Sequence, residues 1–295
     1  MSIFTGSAVA IVTPFKKDGS VDYDKFRDVI EYQIAGGTDC IVVCGTTGES
    51  STLSHEEHLD CIRFCAEVVN KRIPVVAGTG SNCTETAIYL SQEAEKYGVD
   101  GLLVVTPYYN KATQKGLIAH YTAVANSVTL PIIMYNVPSR TGTNIQPETA
   151  VYLAKNVKNI VAIKEASGNI TQMDDIIKNK PANFDVISGD DGITFPLITL
   201  GAVGVISVIG NAFPREFSKM VRLALAGDYA SALHIHHSFT ELFKLLFVDG
   251  NPAGVKAMLS MMGMIENKLR LPLVPTRITT YQEMHKILEE LQIKC

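Results

Sequence analysis

The chain has no run of apolar residues approaching the ~18 needed to cross a membrane as a helix, and no block of like charges. The first absence argues against a membrane span. The second, with a formal net charge of -4 over 295 residues, gives no pointer to nucleic acid. The N-terminal Met1-Ser-Ile-Phe-Thr-Gly lacks a basic region followed by an apolar one. No secretory signal is therefore expected, and the cytoplasm is the expected location. The six cysteines, Cys40, Cys44, Cys61, Cys65, Cys83 and Cys295, form no C-x-x-C. They are expected to be small buried thiols in a reducing compartment rather than disulfides or metal ligands. His55 and His58 are not part of an H-E-x-x-H, and His234, His236 and His237 fall on a predicted surface helix. No metal is expected at either set.

What is present is core. Hydrophobic residues make up 46% of the chain, ample for one large domain with a small appendage. Eight short apolar runs recur, at Ala8–Thr13, Cys40–Cys44, Ile73–Ala77, Gly101–Val105, Pro131–Tyr135, Ile160–Lys164, Asp185–Ser188 and Gly204–Val208, their starts 19 to 33 residues apart. That spacing fits repeated βα units. Helical stripes fill the gaps: Phe26, Val29, Ile30 and Ile34; then Leu59, Ile62, Ala66 and Val69; then Ala87, Leu90, Ala94 and Tyr97. Ser54-His-Glu-Glu57 reads as a capping box opening the helix with the second stripe.

Eight such units predict an α/β fold, a closed parallel (β/α)8 TIM barrel over residues 1–225. An open doubly wound sheet is the runner-up. It is disfavoured because no G-x-G-x-x-G follows the first run, which leads into Thr13-Pro14-Phe15 instead. Gly227-Asp228 punctuates the chain. Residues 226–295 then read as a C-terminal helical domain, with helices near 228–246, 251–263 and 279–292.

Barrel enzymes work at the C-terminal ends of their strands. Lys164 stands at such an end, after a run too short for a helix and without polar alternation, hence a strand buried on both faces. A low dielectric disfavours an ammonium there, and a neutral amine is a good nucleophile toward carbonyl carbon. The plainer alternative is a lysine that snorkels out or pairs with a carboxylate. Glu165 is no easy partner, since adjacent strand residues point to opposite faces.

The other strand ends add chemistry. Gly45-Thr46-Thr47-Gly48-Glu49-Ser50 can aim backbone N–H groups and two hydroxyls at an anion. It lacks the lysine and length of a phosphate loop, so a carboxylate suits it better. It could equally be a plain βα turn. Tyr135 ends a strand near Lys164 and could pass protons through Thr46 and Tyr109, or be a rim aromatic with a satisfied hydroxyl. Arg140 follows Pro138 in a tight loop and suits bidentate carboxylate binding, or is a solvated loop arginine. Asp190 and Asp191 could suggest Mg²⁺, but a helix N-terminus explains them as well.

Taken together, Gly45–Ser50, Pro107-Tyr-Tyr-Asn110, Tyr135-Asn-Val-Pro-Ser-Arg-Thr-Gly142, Lys164-Glu-Ala-Ser-Gly168 and Gly204-Val-Ile-Ser207 resemble the dihydrodipicolinate synthase family. This is one branch of the pyruvate Schiff-base lyases and aldolases, which include N-acetylneuraminate lyase. The resemblance covers essentially the whole chain, Asn251-Pro252 included. Within that wider group, Thr46-Thr47 and Arg140 point to the synthase branch. A sister aldolase or lyase, or a non-catalytic keto-acid-binding protein on the same fold, are the alternatives.

The resemblance implies a mechanism. Lys164 would form an imine with pyruvate. The derived enamine would attack L-aspartate-4-semialdehyde, whose amino group then displaces Lys164 and closes the ring. Tyr135 would shuttle protons through Thr46 and through Tyr109 of a neighbouring subunit. Thr47, the backbone at Ile206 and Gly189 would hold pyruvate, and Arg140 the semialdehyde carboxylate. No metal or organic cofactor is implied, and the assembly implied is a homotetramer built as a dimer of dimers. The positions matching the L-lysine effector site of inhibited members are Ser50, Ser51, His55, His58, Asn82, Thr86 and Tyr108. Inhibited members carry a glutamate where this chain has Thr86, so weak or absent feedback is expected. Glu85 points about 100° away on a helix and is a poor substitute.

Overall fold

In the computed structural model, which describes residues 3–290, eight parallel strands close into a barrel in sequence order. They are β1 (Gly6–Ala10), β2 (Cys40–Val43), β3 (Val75–Gly78), β4 (Gly101–Val105), β5 (Ile132–Asn136), β6 (Ile160–Glu165), β7 (Asp185–Ser188) and β8 (Gly204–Ser207). The ring shuts through β1 and β8, with Gly6 against Gly204 and Ala8 against Ile206. The open-sheet alternative is thereby excluded.

Helices follow the strands: α1 (Tyr23–Ala35), α2 (His55–Val69), α3 (Thr84–Lys96), α4 (Gln114–Asn126), the single turn α5 (Pro138–Thr141) at the strand ends, α6 (Pro147–Asn156), α7 (Ile170–Asn179), α8 (Thr194–Leu200) and α9 (Pro214–Leu225). Beyond the barrel come α10 (Tyr229–Ser238), α11 (Thr240–Val248), α12 (Ala253–Met261) and α13 (Ile278–Glu290). No described helix is long and apolar enough to cross a membrane.

The patterns that signalled the helices also pack them. Phe26, Val29 and Ile30 of α1, Leu59, Ile62 and Val69 of α2, and Ala87, Leu90 and Ala94 of α3 are buried. The capping box is present: Ser54 Oγ accepts from Glu57 N at 3.1 Å, and Glu57 Oε2 accepts from Ser54 N at 3.0 Å. Strand residues alternate between two cores. Ala8, Ala10, Val42, Leu103, Ile133 and Ile206 fill the barrel interior, whereas Val9, Ile41, Val43, Leu102 and Ile132 meet the helices.

Three expectations are corrected. The first run reaches Thr13, but β1 stops at Ala10. Thr13 instead turns its hydroxyl to the Gly48 carbonyl at 2.7 Å, tying down the loop after β2. The helix expected over 228–246 is two helices. The chain bends at Phe239, whose buried ring packs against Phe213 with centroids 5.2 Å apart. Cys83 is exposed rather than buried, because it sits outside the packed stripe at the N-cap of α3. Cys40, Cys44, Cys61 and Cys65 are buried and unpaired. Cys295 and the last two residues of the helix expected over 279–292 lie outside the described residues.

Candidate active site

The C-terminal ends of the strands surround a cavity of about 540 Å³, lined by Thr46, Thr47, Tyr135, Arg140, Lys164, Gly189 and Asn251 among others. Lys164 is 5% exposed, so it does not snorkel to solvent. Ladder pairing puts Tyr135 of β5 directly beside Lys164 of β6. The Lys164 Nζ lies 4.3 Å from the centroid of the Tyr135 ring. Glu165 points to the other side of the strand and is engaged there by Asn136, Gln172 and Ser167. Among the described residues no carboxylate pairs with Lys164. What remains is an amine at the cavity floor against a phenol, an arrangement suited to nucleophilic attack with proton transfer nearby.

Gly189 leaves the room this lysine needs. A Cβ on it would stand 3.0 Å from Lys164 Cε and 2.7 Å from Ala166 Cβ. Ile206 lies one layer down, in the barrel interior with Tyr135, and Val208 is the residue after β8 on the cavity wall. Arg140 is exposed on α5 and lines both this cavity and an adjoining one. Tyr109 has φ 75° and is 87% exposed, so it reaches away from its own barrel.

The loop after β2 is held from far along the chain. Thr47 is buried, and its Oγ1 accepts from Asn251 Nδ2 at 3.0 Å across 204 residues. The Thr47 hydroxyl hydrogen is then free to point at an anion in the cavity. Glu49 takes a left-handed backbone, φ 53°, which costs a non-glycine residue about 1–2 kcal/mol. Its fully buried carboxylate forms an ion pair with the equally buried Lys256 and accepts from Arg270 N at 3.1 Å. Lys256 also donates to the Lys268 carbonyl and lies 4.1 Å from the Phe15 ring centroid. Burial pushes the Lys256 pKa down to about 8 despite the pull of Glu49, so the ammonium persists at neutral pH. Arg270 grips Glu57 through its two terminal guanidinium nitrogens, at 2.6 and 2.8 Å, and holds that carboxyl down to about 2. None of Asn251, Lys256 or Arg270 stood out as a site residue in the sequence, because nothing local links them to residues 47–57.

Asp190 caps a turn by accepting from Gly192 N, and Asp191 is buried with Oδ2 accepting from Val208 N and Ile209 N. Burial raises Asp191 to about 6. Both acids brace the walls after β7 and β8, in line with the helix-terminus reading.

The adjoining cavity, about 370 Å³, is lined by Ser50, Ser51, His55, His58, Thr86 and Tyr108. Asn82 is not on its wall, and its carbonyl accepts from Asn110 Nδ2. His58 is buried, which lowers its pKa, and its Nε2 donates to the Gly78 carbonyl at 2.7 Å.

The model of the dihydrodipicolinate synthetase family matches residues 3–291. A 4-hydroxy-tetrahydrodipicolinate synthase of Phocaeicola vulgatus is 65% identical over 290 residues, 98% of each chain. The crystal structure of dihydrodipicolinate synthase from Aquifex aeolicus agrees with a TM-score of 0.96 at 46% identity, covering 98% of this chain and 99% of that one. The corresponding enzyme of Cyanidioschyzon merolae, crystallised with lysine bound, gives a TM-score of 0.96 at 39% identity over 99% and 100% of the two chains.

Proposed function

The chain belongs to the dihydrodipicolinate synthetase family, and from that premise we propose that it condenses pyruvate with L-aspartate-4-semialdehyde, the 4-hydroxy-tetrahydrodipicolinate synthase step of lysine and diaminopimelate formation. The observation that carries the reading is the buried Lys164 against Tyr135, at the floor of a cavity that also presents Thr47 and Arg140. The amine adds to the pyruvate ketone and water leaves, giving an imine that acidifies the methyl group. Deprotonation yields the enamine, which attacks the aldehyde. The amino group of the second substrate then displaces Lys164 and closes the ring. Lys164 is itself the electron sink, so these steps call on no metal or organic cofactor. Thr47 and the backbone at Ile206 hold pyruvate, with Gly189 leaving space. Tyr135 and Thr46 carry protons. Exposed Tyr109 completes the relay from a neighbouring subunit of a tetramer built as a dimer of dimers. We assign residues 1–225 to the catalytic barrel unit and 226–295 to the helical one, residues 1–2 and 291–295 lying outside the described residues. The four unpaired buried thiols support a cytoplasmic setting.

Arg140 chooses the second substrate through its carboxylate. Arg140→Ala is expected to raise KM for the semialdehyde by about tenfold or more, the worth of a charge-assisted pair, while imine formation with pyruvate is kept. Product formation from pyruvate with aspartate semialdehyde, compared with pyruvate plus sugar aldehydes, tests the whole reading. Turnover only with the sugar aldehydes would make the protein a sister aldolase.

The second cavity is the expected place for L-lysine, and feedback there is expected to be weak. Thr86 brings no charge to an effector ammonium, and the His58 Nε2–H is already given to Gly78. Loss of one charge-assisted bond weakens binding about ten- to a hundredfold. Activity is to be followed against rising L-lysine at subsaturating pyruvate. Half-inhibition well below the millimolar range would refute the expectation, and sensitivity gained in Thr86→Glu would support its cause.

A further inference from the structure

Behind Lys164 lies a polar cage that none of the proposed steps uses. Ile145 N–H donates to Asn136 Oδ1 at 2.9 Å. A backbone N–H cannot accept, so the orientation of the Asn136 amide is settled. Asn136 Nδ2 then donates to Asn144 Oδ1 at 2.8 Å and to Glu165 at 3.0 and 3.1 Å. Asn144 must therefore turn its nitrogen to Gln172 Oε1, at 2.8 Å. Gln172 in turn offers its nitrogen to Glu165 Oε2, at 3.0 Å. Ser167 N–H donates to Glu165 Oε1 at 2.9 Å. One backbone hydrogen thus fixes the direction of every amide in the ring. Every group that meets Glu165 is a donor, and both carboxylate oxygens accept. A protonated acid would set a hydrogen against one of those donors, so the hydrogen bonds of the cage favour the carboxylate and oppose the burial that raises its pKa. Asn136 and Glu165 are fully buried.

The position of the cage gives it a task. The bond from Ile145 N to Asn136 Oδ1 closes the excursion of residues 137–144, which carries α5 and Arg140 to the cavity wall. Glu165 follows Lys164 directly on β6. We propose that Glu165 is a positioning residue for the second substrate: its caged carboxylate sets the Arg140 excursion at a fixed place relative to the Lys164 amine. This rests on the reading of Arg140 given above.

Glu165→Gln tests it. In either amide orientation its NH2 opposes a donor, Ser167 N–H or Gln172 Nε2. KM for aspartate semialdehyde is expected to rise about tenfold, with KM for pyruvate within about threefold of the parent and borohydride trapping of pyruvate unchanged. The exchange variant Asn136→Asp with Glu165→Gln keeps one carboxylate in the cage and reverses the polarity. Asn144 and Gln172 can follow by rotating their amides, and recovery of the semialdehyde KM to within about threefold is expected. If the single variant does not fold, Asn144→Ala, which cuts the excursion's own link, is expected to show the same selective rise. Equal losses for both substrates, a parental semialdehyde KM in Glu165→Gln or Asn144→Ala, or an exchange variant no better than the single one would overturn the proposal. Arg140→Ala separates the two layers. If it loses semialdehyde use and Glu165→Gln does not, the cage has no positioning role. If Arg140→Ala itself shows no selectivity, the fault lies in the reading of Arg140.

Discussion

Lys164→Ala is expected to lower turnover by about 10⁴-fold or more while leaving the protein folded. The side chain opens into a cavity of about 540 Å³ rather than into packed core, so its removal strips little apolar contact from the barrel. In the parent, borohydride with pyruvate should reduce the imine and leave a pyruvate-derived mass on a peptide containing Lys164. The informative competitor is Lys256. It too is a buried lysine, and burial has lowered its pKa to about 8, a profile that also fits an amine nucleophile. Geometry separates the two. Lys256 is bound to Glu49 and to the Lys268 carbonyl and does not line the cavity. An adduct on Lys256, or none at all, would sink the assignment to Lys164.

Lys256→Met should act on stability instead. It leaves the buried Glu49 carboxylate without its ion-pair partner, and breaking a buried pair from one side costs about 3–5 kcal/mol. With roughly 2–4 °C per kcal/mol for chains of a couple of hundred residues, the thermal midpoint should fall by about 10 °C. The left-handed backbone at Glu49 would also lose its restraint, so KM for pyruvate should rise through Thr47. Adding Glu49→Gln removes the orphaned charge and should restore more than half of the midpoint loss, since a neutral cluster tolerates burial better than a lone anion. Melting followed by circular dichroism decides. A midpoint for Lys256→Met within about 2 °C of the parent would show that the pair contributes little.

The barrel was legible in the chain because its signal is local. Each apolar run meets two neighbours of the same kind, and each stripe faces the sheet, so periodicity alone reports them. The strand ends were legible for the same reason, and Lys164, Tyr135, Thr46, Thr47 and Arg140 do meet around one cavity. Strand alternation turns Glu165 away from Lys164, as the structure has it, but nothing local names its destination. The cage depends on a side chain bonding to Ile145 N across a turn. The clamp on the β2 loop was less visible still. Thr47 with Asn251 and Glu57 with Arg270 are contacts over 204 and 213 residues. No periodicity encodes such a pairing. Cys83 shows the complementary failure: cysteine is commonly buried, but a helix N-cap takes its place from backbone geometry.

The clamp on the β2 loop also orders events in time. A ribosome makes residues 45–57 well before their holders Asn251, Lys256 and Arg270, the Thr47–Asn251 and Glu57–Arg270 contacts spanning 204 and 213 residues. A nascent chain can close its ring of strands once β8 has emerged, with Lys164 already in place. Until the segment around α12 arrives, Glu49 lacks its ion-pair partner Lys256 and Thr47 the Asn251 amide that orients its hydroxyl. A chain released short of Arg270 would therefore carry the reactive amine without the fully braced loop meant to receive its substrate, so the site is complete only once residue 270 has been made.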